Sequence, residues 1–242
     1  MLAGLVINRE KSEWNPLKCL TWLGVTVNLI NKTYQITEER VLSLLNSINY
    51  ILKSPYTTAR NLSRIAGKVV STKFVLRDII RLKTRSIYKT VDEQLSWDRR
   101  LNILNYPDAH KEIIFWRDNI KVLNKRTVLK DQTSKLIISS DASDKGIGAI
   151  CESKSLVCHR SFNIFECHNS STWRELEAMR FALDSFGKFI RGSSVKWFTD
   201  SRGAMYISNS GSSNSNLQSL ALEIYDLTKS FDVKLEVEWR TT

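Results

Sequence analysis

The stretch KLIISSDASDKGIGAIC, residues 135–151, decides the fold. Lys135-Leu-Ile-Ile-Ser-Ser-Asp141 reads as a strand that ends on a carboxylate. Asp144-Lys145-Gly146 is a tight turn, and Ile147-Gly-Ala-Ile-Cys151 is a second strand, so the pair reads as a β-hairpin. Working outward, residues 156–162 form a third strand, and Ser171-Thr172 cap a helix that runs to about residue 189. Val195-Lys-Trp-Phe-Thr-Asp200 is a fourth strand, again ending on a carboxylate. A helix over 201–207, a Ser/Asn-rich loop over 208–216, a helix over 217–230 and a strand over 233–239 complete the run. The order βββαβαβ, a hairpin followed by a crossover to a parallel strand, predicts a mixed sheet with helices packed on it.

Upstream the period changes. Residues 1–36 read as strands and a turn around Trp22-Leu-Gly-Val-Thr-Val27, too short to bury a core alone and expected to be the edge of something larger. Residues 37–133 read as a helical module. Thr37 is placed to cap a helix carrying Val41, Leu44, Leu45 and Ile48, which ends near Ser54-Pro55. Thr57 or Thr58 caps the next, with Leu62, Ile65, Ala66, Val69 and Val70 on its apolar side. Arg60, Arg64 and Lys68 stand at i, i+4 spacing on another side, and Arg77, Arg81 and Arg85 repeat that spacing, which on a helix makes cationic stripes. A last helix is predicted near residues 108–124, and the boundary with the third unit, residues 134–242, falls in 127–134.

Charge separates the halves. The net charge is +11, yet residues 1–133 carry 23 Lys/Arg against 12 Asp/Glu, and residues 134–242 carry 13 of each. A surplus confined to one half suits a polyanionic partner, most simply nucleic acid, but a merely solvated basic surface is as common, and charge alone leaves the two about even. Hydrophobic content of 42% and charged content of 25% are those of an ordinary globular chain. No apolar run approaches the ~18 residues that span a bilayer, and no secretory leader is read. Four cysteines in so long a chain suit a reducing, intracellular compartment, cytoplasmic or nuclear, better than a disulfide framework.

Asp141 and Asp200 end strands, and Glu175 lies in the first turn of the intervening helix, where Leu176, Met179 and Leu183 face the core. Each alone has a plain structural reading: Asp141-Ala-Ser-Asp144 suits a turn, and Glu175 complements a helix dipole. Together, in this order and topology, they make a site. Clustered carboxylates are neutralised by a hard divalent ion, and two such ions can activate a water and stabilise a leaving oxygen in phosphodiester cleavage.

The blocks Asp-Ala-Ser-Asp-Lys-Gly-Ile-Gly-Ala (141–149), Arg-Glu-Leu-Glu-Ala (174–178) and Thr-Asp-Ser-Arg-Gly-Ala-Met (199–205) resemble the three successive blocks of retroelement RNase H domains. The resemblance implies an α+β chain: a mostly helical connection- or thumb-like module, then an RNase H-like mixed sheet flanked by helices. It implies Asp141, Glu175 and Asp200 as catalytic metal ligands for Mg2+, with Mn2+ as the alternative. Glu175 is preferred to Glu177 because Leu176-Glu177-Ala178 matches the family's Leu-x-Ala. Gly4-Leu-Val-Ile-Asn-Arg-Glu-Lys-Ser and Leu20-Thr-Trp-Leu-Gly resemble the end of a reverse transcriptase palm, most closely in tyrosine-recombinase (DIRS-type) retrotransposons. The implied activity is metal-dependent hydrolysis of the RNA strand of RNA–DNA hybrids, with hybrids or other duplexes as partners. The alternative is a weak or inactive nucleic-acid-binding remnant of a transposable element. The chain departs from the family in lacking the polymerase's paired aspartates and the fourth metal-site Asp. The expectation is therefore no DNA synthesis, a domain truncated at its C-terminus and weak hydrolysis. A transposase or integrase of the same fold class places its Glu after two Asp, unlike Glu175 here.

Other patterns carry less. Cys158-His159 and Cys167-His168 are adjacent pairs, poor geometry for tetrahedral zinc. The seven tryptophans are expected mostly in the core or an interface. Gly146-Ile-Gly148 sits in a hairpin and lacks the Gly-Lys-Ser/Thr of a phosphate loop.

Overall fold

The computed structural model describes residues 8, 10, 12–127 and 136–240. Strands β1 (Cys19–Trp22), β2 (Val25–Asn28) and β3 (Thr33–Ile36) form an antiparallel meander. Then α1 (Glu38–Leu52), β4 (Tyr56–Thr58), α2 (Ala59–Val70), α3 (Lys73–Leu76), α4 (Ile79–Leu82), α5 (Arg85–Asp92), β5 (Arg100–Asn102) and α6 (Pro107–Leu123) follow, and β6 (Arg126–Thr127) returns to pair with β3. Asn124 closes this return: its Oδ1 accepts from the Ile36 N–H at 2.7 Å, and its Nδ2 donates to the Ile36 carbonyl at 2.9 Å.

The helices form where apolar residues recur at helical spacing. Val41, Leu44, Ile48 and Ile51 of α1 meet Leu62, Ile65, Ala66 and Val69 of α2, with Ile113, Trp116 and Ile120 of α6 completing the core. Thr58 caps α2 by accepting from the Asn61 N–H, whereas Thr37 stands at the N-cap of α1 without a side-chain bond. Val70 lies outside the core, 39% exposed. The expected Arg77, Arg81, Arg85 stripe does not form on one helix, because the chain breaks twice there. Arg77 has φ +55° and ends α3, Arg81 lies in α4, and Arg85 opens α5. Non-glycine residues rarely adopt positive φ, so the helical spacing is lost at that residue.

The second sheet is mixed, in the order β11 (Lys234–Trp239), β10 (Ser194–Thr199), β7 (Leu136–Ala142), β8 (Gly146–Cys151), β9 (Leu156–Ser161). The hairpin β7–β8 and the pair β8–β9 are antiparallel; β10 is parallel to both β7 and β11. Between them run α7 (Ile164–Cys167), α8 (Ser171–Ile190), α9 (Arg202–Ser210) and α10 (Ser215–Ser230). The Ser/Asn-rich stretch is shorter as a loop than expected, since α9 absorbs its start and Asn214 caps α10. The short α7, held by a capping box between Asn163 and Glu166, was not expected. Ile138, Ala149, Cys151, Val195 and Trp197 bury one face of the sheet against Leu176, Met179, Leu183 and Phe186 of α8. The indole N–H of Trp197 is satisfied by the Ser140 hydroxyl at 2.9 Å. Of the tryptophans, Trp116 and Trp197 are fully buried in the two cores, whereas Trp14, Trp22 and Trp97 are exposed on this chain.

The two cores meet through Gln218, which donates to the Leu82 carbonyl at 2.8 Å and accepts from the Ser212 N–H at 2.9 Å. Arg81 donates to the Ser210 hydroxyl across the same seam.

Candidate metal centre

β7 and β10 are neighbours and parallel, so their ends carry Asp141 and Asp200 to one edge of the sheet. α8 crosses the buried face with Leu176, Met179 and Leu183 inward. Its first turns then bring Glu175 to the same edge. One carboxylate oxygen from each of Asp141, Glu175 and Asp200 lies within 4.8 Å of the others. Asp141 and Asp200 are exposed, and Glu175 is buried.

The plain structural duties at this edge belong to three serines. The Ser143 hydroxyl accepts from the Lys145 and Gly146 N–H groups and makes the β7–β8 turn. Ser170 caps α8 by accepting from the Trp173 N–H, one residue before the expected Ser171-Thr172 cap. Ser201 caps α9 through the Ala204 N–H. Asp141 is therefore not needed to form the turn, nor Glu175 or Asp200 to cap a helix. The Asp200 backbone is fixed instead from β11, whose Trp239 indole donates to the Asp200 carbonyl at 2.9 Å.

Glu175 shows the tension in the arrangement. Its Oε1 accepts from the Ala142 N–H at 3.0 Å, while Oε2 is buried with no hydrogen-bond partner. Burial raises its carboxyl to about 7, helped by the negative charges of Asp200 and Asp141 and opposed by the Ala142 amide and, more weakly, by the Thr199 hydroxyl, which lies near but makes no well-formed hydrogen bond. A buried polar atom without a partner costs free energy unless something else satisfies it. A hard divalent cation among three carboxylates does that and cancels the repulsion. The donor set, all oxygen and all anionic, therefore fits magnesium or manganese through Asp141, Glu175 and Asp200.

Glu177, the rival to Glu175, is also buried but is consumed elsewhere. It accepts from Arg160 at 2.6 Å and from both Nε and Nη2 of Arg180, and Arg160 also binds Glu166. This ion-pair network, and the buried Glu112 of α6, escaped the sequence reading. The signal for Glu112 was present: it sits within the apolar spacing Ala109, Ile113, Trp116, Ile120.

The six candidate basic residues are not brought together. Arg60 pairs with Asp98 at 2.7 Å, and Lys68 is held by the Ser43 and Ser47 hydroxyls between α1 and α2. Arg64 is exposed and, among the described residues, donates a hydrogen bond to its helix neighbour Asn61 at 3.3 Å. Arg77 and Arg81 are exposed and Arg85 half-buried, on separate segments.

Residues 131–226 match the family of RNase H-like domains found in reverse transcriptase. No curated protein matches the chain. Among solved structures, the chain is similar to an RNase H1 from the archaeon Halobacterium salinarum, at 12% identity and TM-score 0.37, over 43% of this chain and 84% of that one. An N-terminal RNase H domain from Mycobacterium tuberculosis matches at 15% identity and TM-score 0.38, over 45% and 83%. A foamy viral protease-reverse transcriptase in complex with an RNA/DNA hybrid matches at 14% identity and TM-score 0.37, over 93% of this chain but 29% of that one. The strand order and the match over residues 131–226 agree on an RNase H-like fold for the C-terminal half.

Proposed function

We propose that the chain is part of a retroelement reverse transcriptase, of the DIRS type, and that it hydrolyses the RNA strand of RNA–DNA hybrids with magnesium. One observation carries the chemistry: three carboxylates within 4.8 Å, one of them with an orphaned buried oxygen. Asp141, Glu175 and Asp200 would hold the metal, which when bound would lower the pKa of a water and stabilise the leaving oxygen. The chain's own contribution is geometric and electrostatic. β7 and β10 set the two exposed aspartates side by side, the Trp239 indole pins the Asp200 backbone, and the Ala142 amide orients Glu175. With its carboxyl raised to about 7, Glu175 is only partly ionised near neutral pH in the free protein and would release its remaining proton on binding a metal. The basic first half, through exposed cations such as Arg64, Arg77 and Arg81, holds the duplex backbone. In this reading residues 37–133 and 134–242 are separate units, and the four free cysteines suit an intracellular site.

The test is a magnesium titration of the purified chain with an end-labelled hybrid. Cleavage of the RNA strand alone, abolished by a chelator, is the expected result. A folded chain that binds the hybrid but cuts neither strand at any magnesium or manganese concentration refutes the catalytic reading and leaves a binding remnant.

A further inference from the structure

The break between α4 and α5 leaves backbone groups for other parts of the chain to satisfy. A helix end exposes its last carbonyls and the next helix start its first amides, and neither helix can pair them internally. Here the partners are side chains. The Trp116 indole donates to the Lys83 carbonyl at 2.7 Å, and Glu112 accepts from the Ser86 and Ile87 N–H groups. Both come from α6, in the same half of the molecule. The Leu82 carbonyl is satisfied from the other half, by the Gln218 amide of α10 at 2.8 Å, in a buried position.

Gln218 is itself held at both ends. Its Oε1 accepts from the Ser212 N–H at 2.9 Å, which folds the α9–α10 loop back over the side chain. Gly211 makes room for this: its φ is +71°, and a Cβ there would collide with Gln218 Oε1. Gly192 has nearly the same φ, +70°, with nothing within 4 Å of a Cβ. Both glycines answer a backbone requirement, but only Gly211 also clears a path for a side chain. The neighbouring Ser210 accepts from Arg81 of α4 at 3.1 Å. Further along α10, Tyr225 packs on the core of the helical half, while Leu220 and Ile224 serve the core of their own. Beside these contacts the seam is open: a cavity of about 570 Å3 separates Lys83, Lys89 and Phe115 from Ser212, Ser219 and Leu222. Apolar packing thus covers only part of the seam, and polar contacts hold the rest.

We propose that Gln218 is an interdomain latch: by completing the α4–α5 break from the RNase H-like half, it makes the two halves move as one body and holds the carboxylate edge at a fixed angle to the basic helices. A buried carbonyl stripped of its donor is costly, so opening the seam is penalised at this point even though the surfaces beside it do not close. The latch does not depend on the proposed hydrolysis and is read without nucleic acid or metal.

The experiment compares the full chain with three variants. Gln218→Met keeps the stem and removes both bonds. Gly211→Ala displaces the Gln218 amide, and Gly192→Ala carries the same backbone strain away from the latch. Native-state hydrogen exchange is followed by mass spectrometry over residues 79–92, α2 and α8, and the maximum dimension is read by small-angle X-ray scattering. Gln218→Met and Gly211→Ala are expected to speed exchange over 79–92 about tenfold, as a locally opened unit does, while α2 and α8 keep their parent rates and the particle lengthens. Gly192→Ala should leave residues 79–92 as they are in the parent. Should Gln218→Met not fold, Gly211→Ala decides, with Gly192→Ala as its measure. Parent exchange over 79–92 in the folded latch variants overturns the latch. Equal speeding by Gly192→Ala also overturns it, because strain alone then explains the effect. Faster exchange with unchanged scattering overturns it as well, since Gln218 is then a local cap. A parent that cuts no hybrid refutes the hydrolysis and leaves each of these outcomes as it stands.

Discussion

Two buried glutamates, one in each half of the molecule, have carboxyls raised to about 7, in both cases chiefly by burial. They are opposite cases. Glu112 of α6 accepts from the Ser86 and Ile87 N–H groups, at 2.9 Å each, and so closes the first turn of α5 with both its oxygens. Glu175 has one oxygen bonded, one orphaned, and two further carboxylates in front of it. The same perturbation thus marks a cap in one place and a candidate site in the other. What tells them apart is whether the fold has satisfied the group.

Activity offers the largest separation. Glu175→Gln is expected to lower magnesium-dependent hybrid cleavage by about 10^2–10^3-fold, the scale of losing one electrostatic stabiliser of a transition state. Glu112→Met, assayed well below its melting temperature, should cleave nearly as the parent does. Equal losses in single-turnover assays would erase the distinction.

Stability should reverse the ranking. Glu112→Met leaves two buried amides without acceptors and is expected to cost about 2–4 kcal/mol in denaturant unfolding. Glu175→Gln in metal-free buffer at pH 8 should cost nothing, or stabilise, because a repelled buried charge is removed. A large loss from Glu175→Gln would assign it a structural role.

The pH dependence is shared until metal is added. Both folded-state carboxyls titrate near 7, above the ordinary glutamate value of 4.5, so the folded state holds more protons than the unfolded state in between. Their contribution to stability is therefore fully present below 4.5 and is lost as pH rises through about 7. Saturating magnesium should remove the Glu175 share of this loss and leave the Glu112 share. Unfolding curves at pH 5 and pH 8, with and without magnesium, measure it; no effect of metal on the slope would argue against Glu175 as a ligand.

The smallest effect concerns the basic half. On B-form DNA each phosphate neutralised contributes about −0.9 to the slope of log affinity against log salt. Arg64→Gln should flatten that slope by about one contact at most. Arg60→Gln, whose guanidinium is engaged by Asp98, should change it less. The reverse order, read by anisotropy over a salt series, would show that the Asp98 pair opens on binding.

Much of this was legible in the residues. Period-two alternation and carboxylates at strand ends placed β7, β8 and β10 and gathered Asp141, Glu175 and Asp200, because local pattern and sheet topology agree there. The choice of Glu175 over Glu177 rested on resemblance, and the structure supplies the physical reason: Arg160 and Arg180 occupy Glu177. The helical half was less legible. The breaks around Arg77 depend on a backbone conformation that spacing does not encode, and the partners of Arg60 and Lys68 come from elements 38 and more than 20 residues away. Exposure of Trp14, Trp22 and Trp97 was equally hidden, since apolar neighbours in sequence need not be neighbours in the core.

Asn124 has a consequence for modularity. Because its amide clasps Ile36 across a sequence separation of 88 residues, the chain enters and leaves the helical half at nearly one point. A segment whose two ends meet behaves as a cassette. It can be reopened at an exposed loop and rejoined at the clasp with little change to the path of its neighbours.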